Sequence, residues 1–146
     1  MDRAFVARNE ALLARLVALV DSLSDADLGM QLDDGWRITA ALAHLAFWDR
    51  FAGAVLNHWA TGGFAPSGEG DGAFINSAGL PDWLAAPAEY VRDAVITAAE
   101  ATDRAAATIP ASLFPTIEAA GETWAPHRHV HRNEHIEQIA NALRAG

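Results

Sequence analysis

Apolar residues return at three-, four- and seven-residue steps through most of this chain, a spacing that buries one side of a helix and fits no strand. Phe5, Leu12, Leu16, Leu19 and Leu23 form the first stripe, and Leu13, Val17 and Val20 widen it into a core-facing side. It predicts a helix over 2–23, closed by the turn Ser24-Asp25-Ala26-Asp27. At about 100° per residue, His44, Trp48, Phe51, Val55 and Trp59 share one face. They predict a second helix over 38–59, started by Asp33-Asp34-Gly35 or by Thr39. Pro87 and Pro110 bound a third, over 87–109, with Val91, Ala94, Val95, Ala98, Ala101 and Ala105 inside. A fourth, over 126–143, carries Ile136, Ile139, Ala140 and Leu143.

Residues 60–83 and 110–125 break the periodicity, and no internal repeat or strand pattern is visible. The expectation is an all-α chain, one domain over 1–146, folded as a four-helix bundle with a long crossover between its second and third helices. The 60–83 segment reads as irregular, either a lid or a solvated crossover. Its Glu69, Asp71, Phe74 and Asn76 are candidates to meet a ligand. Its glycines at 68, 70 and 72 follow no strand and lack phosphate-loop spacing.

Composition removes several functions. The chain has 146 residues, 51% hydrophobic and 20% charged, which suits a folded core. It has no cysteine, so disulfides and thiolate metal sites are excluded and any thiol chemistry needs a thiol from outside. The formal charge is -9, and all 10 basic residues are arginine. Such a surface repels phosphate backbones and anionic membranes, so neither nucleic acid nor membrane is expected as a partner. No apolar run approaches the roughly 20 residues of a bilayer span, and no secretion signal is recognised. The expected compartment is cytoplasmic.

Of the six histidines, four fall within residues 126–135. His131 and His135 are one helical turn apart, so both rings leave the same side, bordering Ile139 and Leu143. Imidazole is a good ligand for zinc, nickel, copper and iron. Three protein ligands with one open position is the pattern of a catalytic metal site. His44 is the candidate third ligand, because a histidine in an apolar stripe needs a partner for its ring nitrogens. The plainer alternative is a hydrogen-bonded His44 and a solvated His131/His135 pair. His127 and His131 make a second pair, but His127 lies in the fraying first turn. His129 faces elsewhere, and His58 lies roughly 21 Å along the helix from His44. A metalloprotease motif fails, since Arg132 follows His131 where glutamate is required and Glu134 is turned away.

Two segments carry a family resemblance: Trp36-Arg37-Ile38-Thr39-Ala40-Ala41-Leu42-Ala43-His44-Leu45-Ala46-Phe47-Trp48-Asp49, and His131-Arg132-Asn133-Glu134-His135-Ile136-Glu137-Gln138-Ile139. With Asn76 in the long segment between them, this order resembles the DinB/YfiT-like superfamily over nearly the whole chain. Ile136 and Glu137 stand where many relatives carry histidine or arginine and glycine. The resemblance implies the four-helix bundle with its crossover, and one divalent metal, zinc or nickel, on His44, His131 and His135. Relatives include transferases and isomerases that use low-molecular-weight thiols such as mycothiol or bacillithiol, and hydrolase-like members. Dimers are frequent among them, which makes a homodimer an expectation here.

The leading functional expectation is a metal-dependent transferase acting on a small-molecule substrate with an external thiol, which a metal shifts toward thiolate. Trp48, Phe51 and Gln138 are the candidate substrate contacts, the alternative being core packing for the two aromatics and a helix–helix hydrogen bond for Gln138, and no residue is singled out as catalytic. A hydrolase using metal-activated water is the first alternative. A non-enzymatic bundle that binds a small molecule is the second, since fold alone does not choose between them.

Overall fold

The periodic stretches are helical in the computed structural model, which describes residues 1–67 and 72–145. The described residues form α1 (Ala4–Ser22), α2 (Asp25–Leu28), α3 (Ile38–Gly62), α4 (Gly72–Ala85), α5 (Ala88–Thr108), α6 (Phe114–Ala119) and α7 (Arg128–Ala145). The chain is all-helical; extended pairing among the described residues is limited to a single bridge, Gln31 with Arg37. α3 packs along α5, α1 lies against both α5 and α7, and α7 meets α3. Small residues allow the α3–α5 approach: a Cβ added at Gly53 would sit 3.1 Å from Thr102 Oγ1. Among the described residues no helix is long and apolar enough to cross a membrane.

Three expectations change. The segment 60–83 is not irregular throughout, because α3 continues to Gly62 and α4 occupies Gly72–Ala85. Gly79 and Pro81 concealed α4, since both disfavour a helix interior. Gly79 is there for contact: an added Cβ would lie 2.5 Å from Trp83 Cζ2, and Trp83 is buried against Trp36, Phe47 and His44. Of the four positions named in that segment, Glu69 and Asp71 fall outside the described residues, as do the glycines at 68 and 70. Ala101 is exposed, and Ala99, Thr102 and Ala106 complete the inner face of α5. Residues 110–125 contain a short 3-10 turn, Ala111–Leu113, and then α6.

The core has two apolar clusters. One gathers Leu16, Val20, Ile38, Leu42, Leu45, Val91, Val95, Ile136 and Ile139. The other gathers Phe5, Ala52, Leu56, Trp59, Ala105, Ile109 and Ile117. Between them on the helices lie Asp49, Thr102, Arg128 and Arg132, all buried. That polar layer positions the histidines.

Candidate metal centre

Asp49 anchors the layer. It is fully buried, one and a half turns beyond His44 on α3, and accepts Arg128 Nε at 2.8 Å and Arg132 Nε at 3.0 Å, one on each oxygen. Arg132 also donates to Asp103 Oδ2 at 2.8 Å and to the Ala99 carbonyl at 3.2 Å. Burial holds the Asp103 carboxyl above its ordinary range against the pull of Arg132. A buried ion pair is retained only when nearly every donor is matched, and here one carboxylate orients two guanidiniums on successive turns of α7. That fixes the rotation of α7 and turns His131 and His135 toward α3.

His44, His131 and His135 meet, with one ring nitrogen from each lying within 4.8 Å of the other two. His44 Nε2 and His131 Nε2 are 3.0 Å apart, and the three ring centroids are 4.9–5.0 Å from one another. His44 is walled by the rings of Trp36, Trp48 and Trp83. Burial, with the nearby His135 and Arg128, pushes its pKa down to about 3. Burial, Arg128 and the two other imidazoles push His131 down to about 2, and burial lowers His135 against the support of Gln138. All three rings are neutral at pH 7, the state in which imidazole offers a lone pair to a metal.

The donor set fits a divalent ion. Ligand nitrogens about 2.0–2.1 Å from a tetrahedral ion are roughly 3.3 Å apart, close to the His44–His131 spacing. His135 is oriented for it. Asp34 accepts Gln138 Nε2 at 2.8 Å, which turns the Gln138 carbonyl to His135 Nδ1 at 3.0 Å. Nδ1 therefore carries the proton and Nε2 keeps its lone pair, the outer-shell arrangement of ligating histidines. His44 Nε2 faces His131 Nε2, while His44 Nδ1 is buried without a hydrogen-bond partner among the described residues.

Trp48 is buried, and its Nε1 donates to Asn76 Oδ1 on α4 at 2.8 Å. Trp48 and Asn76 line a cavity of about 420 Å³ that also borders His44, Trp124, Arg128 and His131. Gln138 is not among the residues lining it; its amide is taken by Asp34 and His135. Phe51 stacks on Trp124 at 5.7 Å, and Phe74 is 78% exposed. His58 is exposed and apart from the triad. His129 joins α7 to α1, its backbone N–H and ring Nδ1 both meeting Asn9 Oδ1 at 2.9 and 3.0 Å. Glu122 holds the chain after α3, accepting Ser67 N at 2.8 Å, Ser67 Oγ at 2.5 Å and Trp124 Nε1 at 2.8 Å. Sequence reasoning missed Asp49, Arg128, Trp124 and Glu122. Arg128 and Arg132 repeat the four-residue step of His131 and His135, and that paired step was the available signal.

No family model, curated protein or solved structure matches the chain.

Proposed function

We propose that the protein is a divalent-metal enzyme that transfers a low-molecular-weight thiol to a small electrophile, with His44, His131 and His135 as the metal ligands. The observation that carries this reading is the convergence of three neutral imidazoles, His44 buried and His131 and His135 half-buried, beside an aromatic-walled cavity. The four long helices α1, α3, α5 and α7 then form a four-helix bundle, with α4 inside the crossover. The motifs around His44 and His131 support membership of the DinB/YfiT-like superfamily.

A divalent ion on the triad supplies a Lewis-acid position that lowers the pKa of a coordinated thiol or water. The chain's own residues do the rest. Gln138, held by Asp34, keeps His135 Nδ1 protonated and its other nitrogen free. Trp36, Trp48 and Trp83 exclude water from His44. Trp48 and Trp124 offer flat walls to the electrophile. The absence of cysteine requires the thiol to be a cosubstrate.

The test is product formation from a thiol and a chromogenic electrophile by zinc- or nickel-loaded protein. We expect turnover that needs both thiol and metal and falls by more than about a hundredfold in His135→Ala, beyond the usual cost of losing only an outer-shell partner. Thiol-independent rates equal to the protein-free background, together with no thiol-dependent rate, contradict it. A second reading, hydrolysis, is favoured by Glu134, which lines a neighbouring cavity of about 300 Å³ with His131 and Arg128. It predicts metal-dependent turnover without thiol, lost in Glu134→Gln.

A further inference from the structure

Arg128 occupies a position that a metal on the triad changes. Arg128 is 2% exposed, and its guanidinium is anchored through Nε to Asp49 and lies over the Trp124 ring at 5.7 Å. Its Nη2 meets His131 Nδ1 at 2.7 Å. Arginine only donates, so His131 Nδ1 must be the bare acceptor nitrogen and the ring proton must sit on Nε2, facing His44 Nε2. That tautomer leaves His44 protonated at Nδ1, the buried atom without a hydrogen-bond partner among the described residues. It also leaves His131 no lone pair at the atom nearest His44. A metal held at His131 Nε2 needs the opposite tautomer, with the proton on Nδ1. Two donors, Nδ1–H and Nη2–H, would then face each other at 2.7 Å, and Arg128 Nη2 must turn away.

The cavity is where Nη2 can turn. Arg128 lines it together with Trp48 and Trp124, and no carboxylate is among its described lining residues. The Asp49 anchor keeps the guanidinium at the wall while its outer edge changes partner. A guanidinium edge in a cavity lined by two indoles suits a planar group bearing a carboxylate.

We propose that Arg128 alternates between His131 Nδ1 in the metal-free protein and the carboxylate of a cavity ligand in the metal-loaded protein, so that metal and a small aromatic carboxylate bind cooperatively. This rests on the triad holding a metal. It adds the substrate class, a planar carboxylic acid, and a residue that couples the two sites. Coupling of this kind is reciprocal: the ligand must tighten the metal by the same factor as the metal tightens the ligand.

The test uses benzoate, with benzamide as its neutral counterpart, titrated into metal-free and zinc-loaded protein and followed by tryptophan fluorescence and calorimetry. Benzoate is expected to bind the zinc-loaded protein at least about tenfold more tightly than the metal-free protein, and to raise zinc affinity by the same factor. Benzamide is expected to show no such gain. Arg128→Lys, which keeps the charge but loses the planar fork, is expected to retain zinc and lose the gain. Equal benzoate affinity in zinc-loaded wild type and Arg128→Lys overturns the proposal, because the carboxylate then sits on the metal or elsewhere. A second measurement needs no variant. Nitrogen NMR of His131 is expected to show Nδ1 bare before zinc and protonated after it; a protonated Nδ1 in the metal-free protein overturns the proposal. Zinc uptake without coupling sinks this inference alone, whereas failure to take up zinc sinks the metal centre with it.

Discussion

Asp49 accepts from Arg128 with one oxygen and from Arg132 with the other, and none of the three side chains is more than 3% exposed. Removing the carboxylate's charge leaves two buried guanidiniums short of a partner. Asp49→Asn is therefore expected to cost about 3–5 kcal/mol in chemical denaturation, as breaking a buried pair does. A loss below about 1 kcal/mol, the scale of a surface pair, contradicts the role given to Asp49. The imidazoles make a pH prediction. His44 is held at about 3 by burial and neighbouring positive charge, against 6.5 in the unfolded chain. Between those values the unfolded chain binds a proton that the folded one refuses, so stability rises with pH across that window and is lost on acidification. Metal-free protein is expected to melt at a lower temperature at pH 5 than at pH 7, with a smaller difference in His44→Gln. An equal pH difference in the two proteins contradicts it.

At the scale of elements, the long helices were legible because their apolar periodicity is strong and their ends are marked by Pro87, Pro110 and the turn after Leu23. α4 was not, because Gly79 and Pro81 argue against a helix while the feature that overrides them is a tertiary contact. Trp83 sets its ring where a Cβ at Gly79 would stand and meets His44 edge-on, with centroids 4.8 Å apart. No local pattern announces that contact. Gly79→Ala is a test of it. Alanine raises helix propensity by about 1 kcal/mol, yet its methyl meets a ring wedged between Trp36 and His44. We expect a net loss of about 1–2 kcal/mol and altered near-ultraviolet circular dichroism, because overpacking outweighs propensity. A more stable variant with an unchanged spectrum contradicts the packing account.

Across the whole molecule, a polar layer divides two apolar clusters, and the triad sits at the edge of that layer. The triad itself was legible, since His131 and His135 are one turn apart and His44 stands in an apolar stripe. The buried ionic network was not. Arg128 and Arg132 show only their shared four-residue step in sequence until Asp49 and Asp103, from two other helices, are brought against α7. Their pairing depends on contacts 79, 83 and 29 residues apart in the chain. Gln138, readable in sequence as a pocket contact or as a helix–helix hydrogen bond, lies in the fold between His135 and Asp34, the latter 104 residues away in the chain.

The most direct test of the metal centre is divalent metal per chain, by elemental analysis after gentle purification and exposure to zinc or nickel. Wild type and His129→Ala are expected to hold about one ion per chain, and His44→Ala, His131→Ala and His135→Ala none, as a three-ligand site requires. Absence of metal from wild type, or an ion that survives the loss of His44, contradicts the account.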